Sequence, residues 1–341
     1  MGGRTQREAA GAEQDDDAPD DGRDGGGLID EEGHVDPEAW RQVDRFLDRH
    51  CLVRPGRKVR LDTVDPGYLK DRMLRRLSKD QLKSRAQAML ADNVKQLSEA
   101  QELLFANDRR SMLIVLQAMD AAGKDGTIKH VMSGINPAGC RVVSFKAPSK
   151  VEIDHNWLWR VWREVPERGQ ICIFNRSHYE DVLVVRVHPE LLERQQLPPG
   201  KRGRRFWEQR MRDIVAFEEH LAANGTVIVK FFLHVSREEQ RRRFLERLED
   251  REKNWKFSHA DLVERGFWDQ YMDAYERALG ATSTERAPWF VVPADAKWVT
   301  RVLVGRAITR AIESLRLRPP KLTEEDRTRL EEARRRLEAE G

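Results

Sequence analysis

Apolar positions recur along this chain in two rhythms. Between residues 78 and 106 (SKDQLKSRAQAMLADNVKQLSEAQELLFA), Leu82, Ala86, Leu90, Val94, Leu97 and Leu103 return at three- and four-residue spacing with charges between them. That rhythm predicts a long amphipathic helix. Pro37-Glu38-Ala39-Trp40 opens a shorter one that runs through Leu47. From residue 111 the rhythm changes to short continuous apolar runs at 111–117, 140–145, 170–174, 226–235 and 289–292. Such runs are what strands buried on both faces look like. Helical stretches follow most of them, so the expected fold is α/β, a parallel sheet with helices on both faces. The α/β domain spans about 60–316, with helical additions before it that extend the structured body to 37–316. Residues 317–341 (KLTEEDRTRLEEARRRLEAEG at 321–341) read as a charged helix or a fraying tail, and no internal repeat is present.

Composition changes this picture at the N-terminus. The chain has 341 residues, 35% of them charged, and a net charge of +3. That near-balance argues against a nucleic-acid coat. Residues 1–36 are acidic and Gly-rich and are expected to be a disordered tail. Cys51, Cys140 and Cys172 form no CxxC pair and fit reduced thiols in a cytoplasmic protein. Cys172, in an apolar run, is expected in the core. No run of ~18 apolar residues predicts a membrane span, and the N-terminus does not read as a secretory signal.

The candidate chemistry begins at SMLIVLQAMDAAGKDGTIKH, residues 111–130. A buried strand runs into a loop of small residues and then into a helix from Lys124. Small residues let successive backbone N–H groups converge on an anion, and the helix N-terminus adds its positive end. Lys124, after Gly123, places an ammonium on the phosphates. The match to GxxxxGK[ST] is imperfect. Ala118 stands at the first Gly, Asp125 at the Ser or Thr, and Thr127 two positions late. Asp120 and Asp125 can supply oxygen ligands to Mg²⁺ in place of the hydroxyl. The alternative is a plain Gly-containing turn.

A second polar cluster, Asn175-Arg176-Ser177, follows the strand at 170–174. Ligands of open α/β sheets bind outside the carboxyl ends of strands, and an arginine there can clamp phosphate oxygens. Glu180 and Asp181 serve Mg²⁺, an acceptor or a helix start. His178 reads as structural. Basic stretches follow at 201–205 and 237–256. Arg243 and Arg247 share a helix face, with Lys253 and Lys256 just beyond. They suit a lid that closes over phosphates, the alternative being a solvated, self-paired helix. Trp157, Trp159, Trp162, Trp268, Tyr271 and Trp289 read as packing, with base stacking the alternative for one of the first three.

At this point the chain resembles the polyphosphate kinase 2 family over roughly residues 40–315. The resemblance rests on AMDAAGKDGTIKH (118–130), FNRSHYEDVLVVRVHPE (174–190), EKNWKFS (252–258), WDQY (268–271) and TSTERAPWFVVPADAKW (282–298). It implies a P-loop nucleotide-kinase-like fold with a helical lid at about 237–262. It implies Mg²⁺-dependent, reversible transfer of the terminal phosphoryl of inorganic polyphosphate to a nucleotide, with Mn²⁺ as an alternative metal. Asp120, Lys124 and Arg176 match the family's catalytic positions, and Asp120 and Asp125 are the candidate metal ligands. Ala122, Gly123, Asp125, Gly126, Thr127, Asn175, Glu180 and Asp181 fall where phosphate and nucleotide are bound. Lys129, Arg243, Arg247, Lys253 and Lys256 resemble the wall of a polyphosphate channel.

The resemblance also reaches the subtype. Many relatives carry Asp where this chain has Asn175, and the Asn form with GKDG and SHYED looks like the subgroup that phosphorylates both AMP and ADP. An amide binds Mg²⁺ more weakly than a carboxylate, so Glu180 or Asp181 is expected to compensate. Arg251 stands where relatives often have Pro, which predicts a more helical lid entry. Partners implied are inorganic polyphosphate, adenine nucleotides with guanine nucleotides as the alternative, and further copies of the chain in a dimer or tetramer. No nucleic acid and no membrane are expected. Lys146 and the PADAK loop (293–297) are candidates for contacting the base. The rival readings are an ADP-only enzyme, a conventional ATP-dependent P-loop kinase, and a non-catalytic polyanion binder.

Overall fold

Each apolar run becomes a strand, and the loops between them carry the polar clusters. The structure is a computed structural model and describes residues 35–67, 78–252 and 254–340. Residues 1–34 of the acidic tail and the lid residue Lys253 lie outside the described residues. The chain begins with α1 (Pro37–Phe46), β1 (Leu52–Val53), α2 (Lys79–Asn107), β2 (Ser111–Ala118), α3 (Lys124–Val131) and β3 (Cys140–Ser144). The short helices α4 (Lys150–Ile153) and α5 (Trp159–Trp162) lead to β4 (Ile171–Asn175). A turn at His178–Asp181 and helices α6 (Val184–Val187), α7 (Pro189–Glu193) and α8 (Arg204–Ala223) precede β5 (Thr226–His234). Then follow α9 (Arg237–Glu249), α10 (His259–Gly266), α11 (Trp268–Thr282), β6 (Trp289–Pro293), α12 (Lys297–Glu313) and α13 (Glu324–Glu338).

Among the described residues, six strands form one sheet in the order β1-β6-β5-β2-β4-β3. All neighbours run parallel except β1, which is antiparallel to β6. The expected parallel sheet therefore carries one short antiparallel edge strand, which the sequence pattern did not reveal. β2 lies between β5 and β4 and is buried along its whole length. This brings its carboxyl end beside that of β4, with Leu116 opposite Asn175.

Helix α2 starts at a capping box in which Ser78 and Gln81 satisfy each other's N–H groups. It buries Leu82, Ala86, Leu97 and Leu104 and packs along α12. Gly305 permits that approach, because a Cβ there would stand 2.2 Å from Asn93 Oδ1. Val35 is buried beside Trp40, and Asp36 caps α1, so both residues belong with the structured body. Trp268, Tyr271, Trp289 and Cys172 are buried as expected, whereas Trp162 is 41% exposed. Arg251 does not lengthen a helix: α9 ends at Glu249, and Asp250 turns the backbone to ψ 107°. Helix α13 buries none of its side chains. No helix among the described residues is long and apolar enough to cross a membrane.

One charged group is sealed inside. Lys230, in the middle of β5, is 0% exposed. Its ammonium donates to Glu218 Oε2 (2.5 Å), the Thr282 carbonyl (2.7 Å) and the Tyr179 hydroxyl (3.0 Å). Tyr179 in turn donates to Glu218 Oε1 (2.9 Å), and His178 Nε2 lies 3.3 Å from the same oxygen. Burial alone would raise the Glu218 carboxyl; the Lys230 ammonium and His178 outweigh it and hold the group below its ordinary value.

Candidate active site

The loop between β2 and α3 is shaped by two left-handed residues, Ala121 (φ 60°) and Gly123 (φ 106°). Gly123 is the N-cap of α3 and offers no side-chain cap. The first-turn N–H groups of α3, including those of Lys124, Asp125 and Gly126, therefore have no helical acceptors and point outward as an anion slot. Behind the slot the loop carbonyls are tied down. Lys124 Nζ bonds the Ala118 carbonyl (3.2 Å), and the Ala122 N–H bonds that of Met119 (3.3 Å). Gln240 Nε2 bonds the Asp120 carbonyl (2.9 Å).

Arg243 ties the rest. Its Nη1 donates to the carbonyls of Ala121 (2.9 Å) and Ala122 (2.8 Å), its Nη2 to those of Ala294 (2.6 Å) and Asp295 (3.1 Å), and its Nε to Glu239 (2.7 Å). A guanidinium has five N–H donors, and all five are used. This corrects the expectation that Arg243 faces polyphosphate from a lid. It is buried, and it clamps the loop to the β6–α12 connection.

Asn175 and Arg176 close the slot from β4. Arg176 is itself left-handed (φ 62°), a conformation that costs a non-glycine residue about 1 kcal/mol and that clusters at functional sites. Its N–H bonds the Leu116 carbonyl (3.1 Å), which fixes it against β2. Its guanidinium lies 3.2 Å from Asp120 Oδ1 and 3.5 Å from Glu180 Oε2. The second Asp120 oxygen has no partner among the described residues. Asn175 Nδ2 donates to Asp125 Oδ1 (2.8 Å). An Asp at 175 would set two carboxylates face to face there, so the amide is what lets Asp125 sit beside β4.

The electrostatics follow from partial burial. Burial lowers the Lys124 ammonium below its ordinary value, with Asp120 the main opposing charge. Burial raises the Glu180 carboxyl, against the pull of Arg176 and Lys124. Asp261, in the first turn of α10, is also raised, by burial and then by the Asp120 carboxylate. The α10 helix thus brings a carboxylate to the mouth of the site.

The predicted residues do not all meet. Asp120, Lys124, Asp125, Asn175, Arg176 and Glu180 meet at the joined ends of β2 and β4, around Ala122, Gly123 and Gly126 of the loop. Thr127 is buried in the first turn of α3, and Lys129 is exposed on that helix. Asp181 does not join them. Its carboxylate accepts from Gln195 (2.7 Å) and lies 3.6 Å from Arg210. The turn His178–Asp181 is a 3₁₀ turn whose two carboxylates face apart, so of the two only Glu180 lies at the site. Arg247 lies 3.6 Å from Asp261. Lys256 falls in the turn Asn254–Lys256.

Sequence reasoning missed the Gln240 and Arg243 contacts, which depend on how α9 folds back over the loop. It also missed Arg301, whose Nη2 would stand 3.8 Å from a Cβ on Gly126. Among the described residues no group of three or more His, Cys, Asp or Glu side chains converges as a metal cage. Mg²⁺ does not require one, because it commonly takes one or two carboxylates and completes its shell with phosphate and water oxygens. The partly exposed Asp120, with a free oxygen at the slot, fits that requirement.

Three comparisons agree with this arrangement. A family model described as Polyphosphate kinase 2 matches residues 79–319. The ADP-polyphosphate phosphotransferase of Rhodopseudomonas palustris is 53% identical over 298 residues, covering 86% of this chain and 99% of the relative. The AMP/ADP-polyphosphate phosphotransferase of Meiothermus ruber is 49% identical over 226 residues, covering 66% and 80%. The crystal structure of Polyphosphate Kinase 2 from Arthrobacter aurescens superposes with a TM-score of 0.72 at 39% identity, over 82% of this chain and 95% of that one.

Proposed function

Because the chain belongs to the polyphosphate kinase 2 family, we propose that it transfers the terminal phosphoryl group of inorganic polyphosphate to AMP and to ADP, giving ADP and ATP, in a reversible and Mg²⁺-dependent reaction. The observation that carries this reading is the meeting of Asp120, Lys124 and Arg176 on an uncapped helix N-terminus at the joined ends of β2 and β4.

Phosphoryl transfer asks for positioning and charge neutralisation rather than covalent help. The α3 N–H groups and Lys124 hold the donor's terminal phosphate, and Arg176 orients the oxygens between donor and acceptor. Glu180 and Asp120 fix the Arg176 guanidinium from two sides, which leaves its remaining N–H groups to the substrate. Asp120 would hold the metal through its free oxygen, with Mn²⁺ an alternative; a divalent cation there supplies neutralisation of the phosphate oxygens. The acceptor is an ionised phosphate, so no strong general base is needed. AMP as well as ADP enters the proposal on two grounds. One is the Asn175–Asp125 hydrogen bond, and the other is the likeness to a relative named for both acceptors.

Purified protein is incubated with Mg²⁺, long-chain polyphosphate and AMP, and the nucleotides are separated by chromatography. ADP followed by ATP is the expected result. Product from ADP alone removes AMP from the proposal. Turnover with ATP as donor and none with polyphosphate overturns it.

A further inference from the structure

Among the described residues, the tyrosines differ in what their hydroxyls do. Tyr179 donates to Glu218 and Tyr271 to Glu264, as buried phenols usually find a partner. Tyr275 lies one turn after Tyr271 on the same face of α11, and its hydroxyl has no hydrogen bond among the described residues. The residue is 4% exposed, yet its oxygen is not sealed off; the little exposure that remains includes the hydroxyl.

The fold sets this hydroxyl at the site. The Tyr275 ring packs on Phe232 of β5, with centroids 4.2 Å apart, and lies 6.5 Å from the ring of Tyr271. Phe232 pairs with Gln117 of β2, so the two side chains stand on one face of the sheet, a strand apart, near its carboxyl edge. The buried Gln117 amide bonds the Ser177 hydroxyl (3.1 Å) and the Glu180 carboxylate, and so holds the turn that follows Arg176. Tyr275 therefore stands beside the strand that anchors that turn. The charged groups that act on its hydroxyl are Glu180, Arg176 and Asp120, the three that meet at the slot. None of them is bonded to it. Burial raises the phenol well above its ordinary value, and Glu180 adds to the rise, so near neutral pH the group is protonated and can donate.

A buried donor without an acceptor is costly, and such groups persist where a ligand supplies the missing acceptor. The ring is packed away against Phe232, so Tyr275 offers the site neither a stacking plane nor a charge, only one O–H. The ligand that answers an O–H beside a guanidinium is one rich in oxygen acceptors. We infer that the Tyr275 hydroxyl is a further substrate-contacting group, which donates a hydrogen bond to an oxygen of the phosphoryl group that Arg176 orients during transfer. The inference rests on the phosphotransferase reading above. Charge spreads over the oxygens of that group in the transition state, so the bond strengthens there and acts on kcat more than on substrate binding.

The test compares the unaltered chain with Tyr275→Phe, which removes the oxygen and keeps the ring on Phe232. Initial rates are measured with long-chain polyphosphate and ADP each varied in turn, and thermal melts are recorded alongside. Tyr275→Phe is expected to lower kcat about tenfold, a loss of ~1.4 kcal/mol, as for one hydrogen bond to a charged group. KM for each substrate should change less than about twofold. The thermal midpoint should stay level or rise, because the variant removes a donor that the free protein leaves unpaired. A lowered midpoint, which marks a structural hydroxyl, or an unchanged kcat overturns the assignment while the functional reading stands. Absence of polyphosphate-dependent turnover in the unaltered chain overturns that reading and the assignment with it.

Discussion

Two charged clusters in this molecule contain the same kinds of residue and are built in opposite ways. Beneath β5, Lys230 donates all three of its protons to protein acceptors, and the carboxylate opposite receives from two more groups. At the ends of β2 and β4, Lys124 has one protein bond, Arg176 is held by looser contacts at 3.2 and 3.5 Å, and Asp120 keeps an oxygen free. The first cluster is closed and nearly complete, with the buried His178 Nδ1 left without a partner among the described residues; the second is open at one side and incomplete. A buried charge that lacks a partner is costly, so the closed cluster has to be finished by the fold. The open one can await a polyanion. The difference teaches that completeness of hydrogen bonding, more than residue type, separates a structural charge network from a site.

The sharpest way to break the comparison is in the closed cluster. Lys230→Met leaves the buried Glu218 carboxylate without its ammonium partner and should cost about 3–5 kcal/mol of unfolding free energy, read from urea denaturation. Glu218 also gives a pH signature. Its folded-state value lies below its unfolded one, so its contribution is present above the ordinary glutamate range and is lost as pH falls through the folded value. The urea midpoint of the unaltered chain should therefore drop as pH falls below the ordinary glutamate range, and the drop should be smaller in Glu218→Gln.

The open cluster should behave in the opposite sense. Asp120→Ala and Lys124→Ala are each expected to lose at least ~100-fold in kcat/KM, about 2.7 kcal/mol, with thermal midpoints close to the unaltered chain. Near-normal turnover in either would remove that residue from the mechanism. Arg243→Lys lies between the two classes. A lysine has three donors for five acceptors, so stability should fall by about 1–2 kcal/mol, and kcat/KM should fall about tenfold as the loop loosens. The smallest effect tests neighbouring carboxylates. Asp181→Asn should change kcat less than about twofold, while Glu180→Gln lowers it about tenfold, because only Glu180 touches Arg176.

Much of the open cluster was legible in the sequence because it is local. Strand, small-residue loop, Lys124 and helix are contiguous, and Arg176 follows a second apolar run, which the fold sets beside the first. Asp181 was misjudged because adjacent residues in a 3₁₀ turn diverge, and nothing in SHYED says which one faces the site. Arg243 reads from the sequence as a lid cation because it stands in a basic stretch of α9; four of its five acceptors come from segments more than 50 residues away. The closed cluster left a signal that went unused. A lysine in the middle of TVIVKFFLH, and Glu218 on the apolar face of α8 with Met211, Ile214, Phe217 and Leu221, are charges at core positions. Such charges call for each other.

The phosphate loop has a front and a back of opposite character. From Ala118 to Ala122, each carbonyl is taken by a donor from behind, through Lys124, Ala122, Gln240 and Arg243. What faces the solvent is N–H. The loop thus acts like a rectifier for charge, admitting oxygen-rich anions and offering a bare cation no carbonyl to rest on. A metal ion can enter this slot only in company, carried by phosphate or met by the Asp120 side chain.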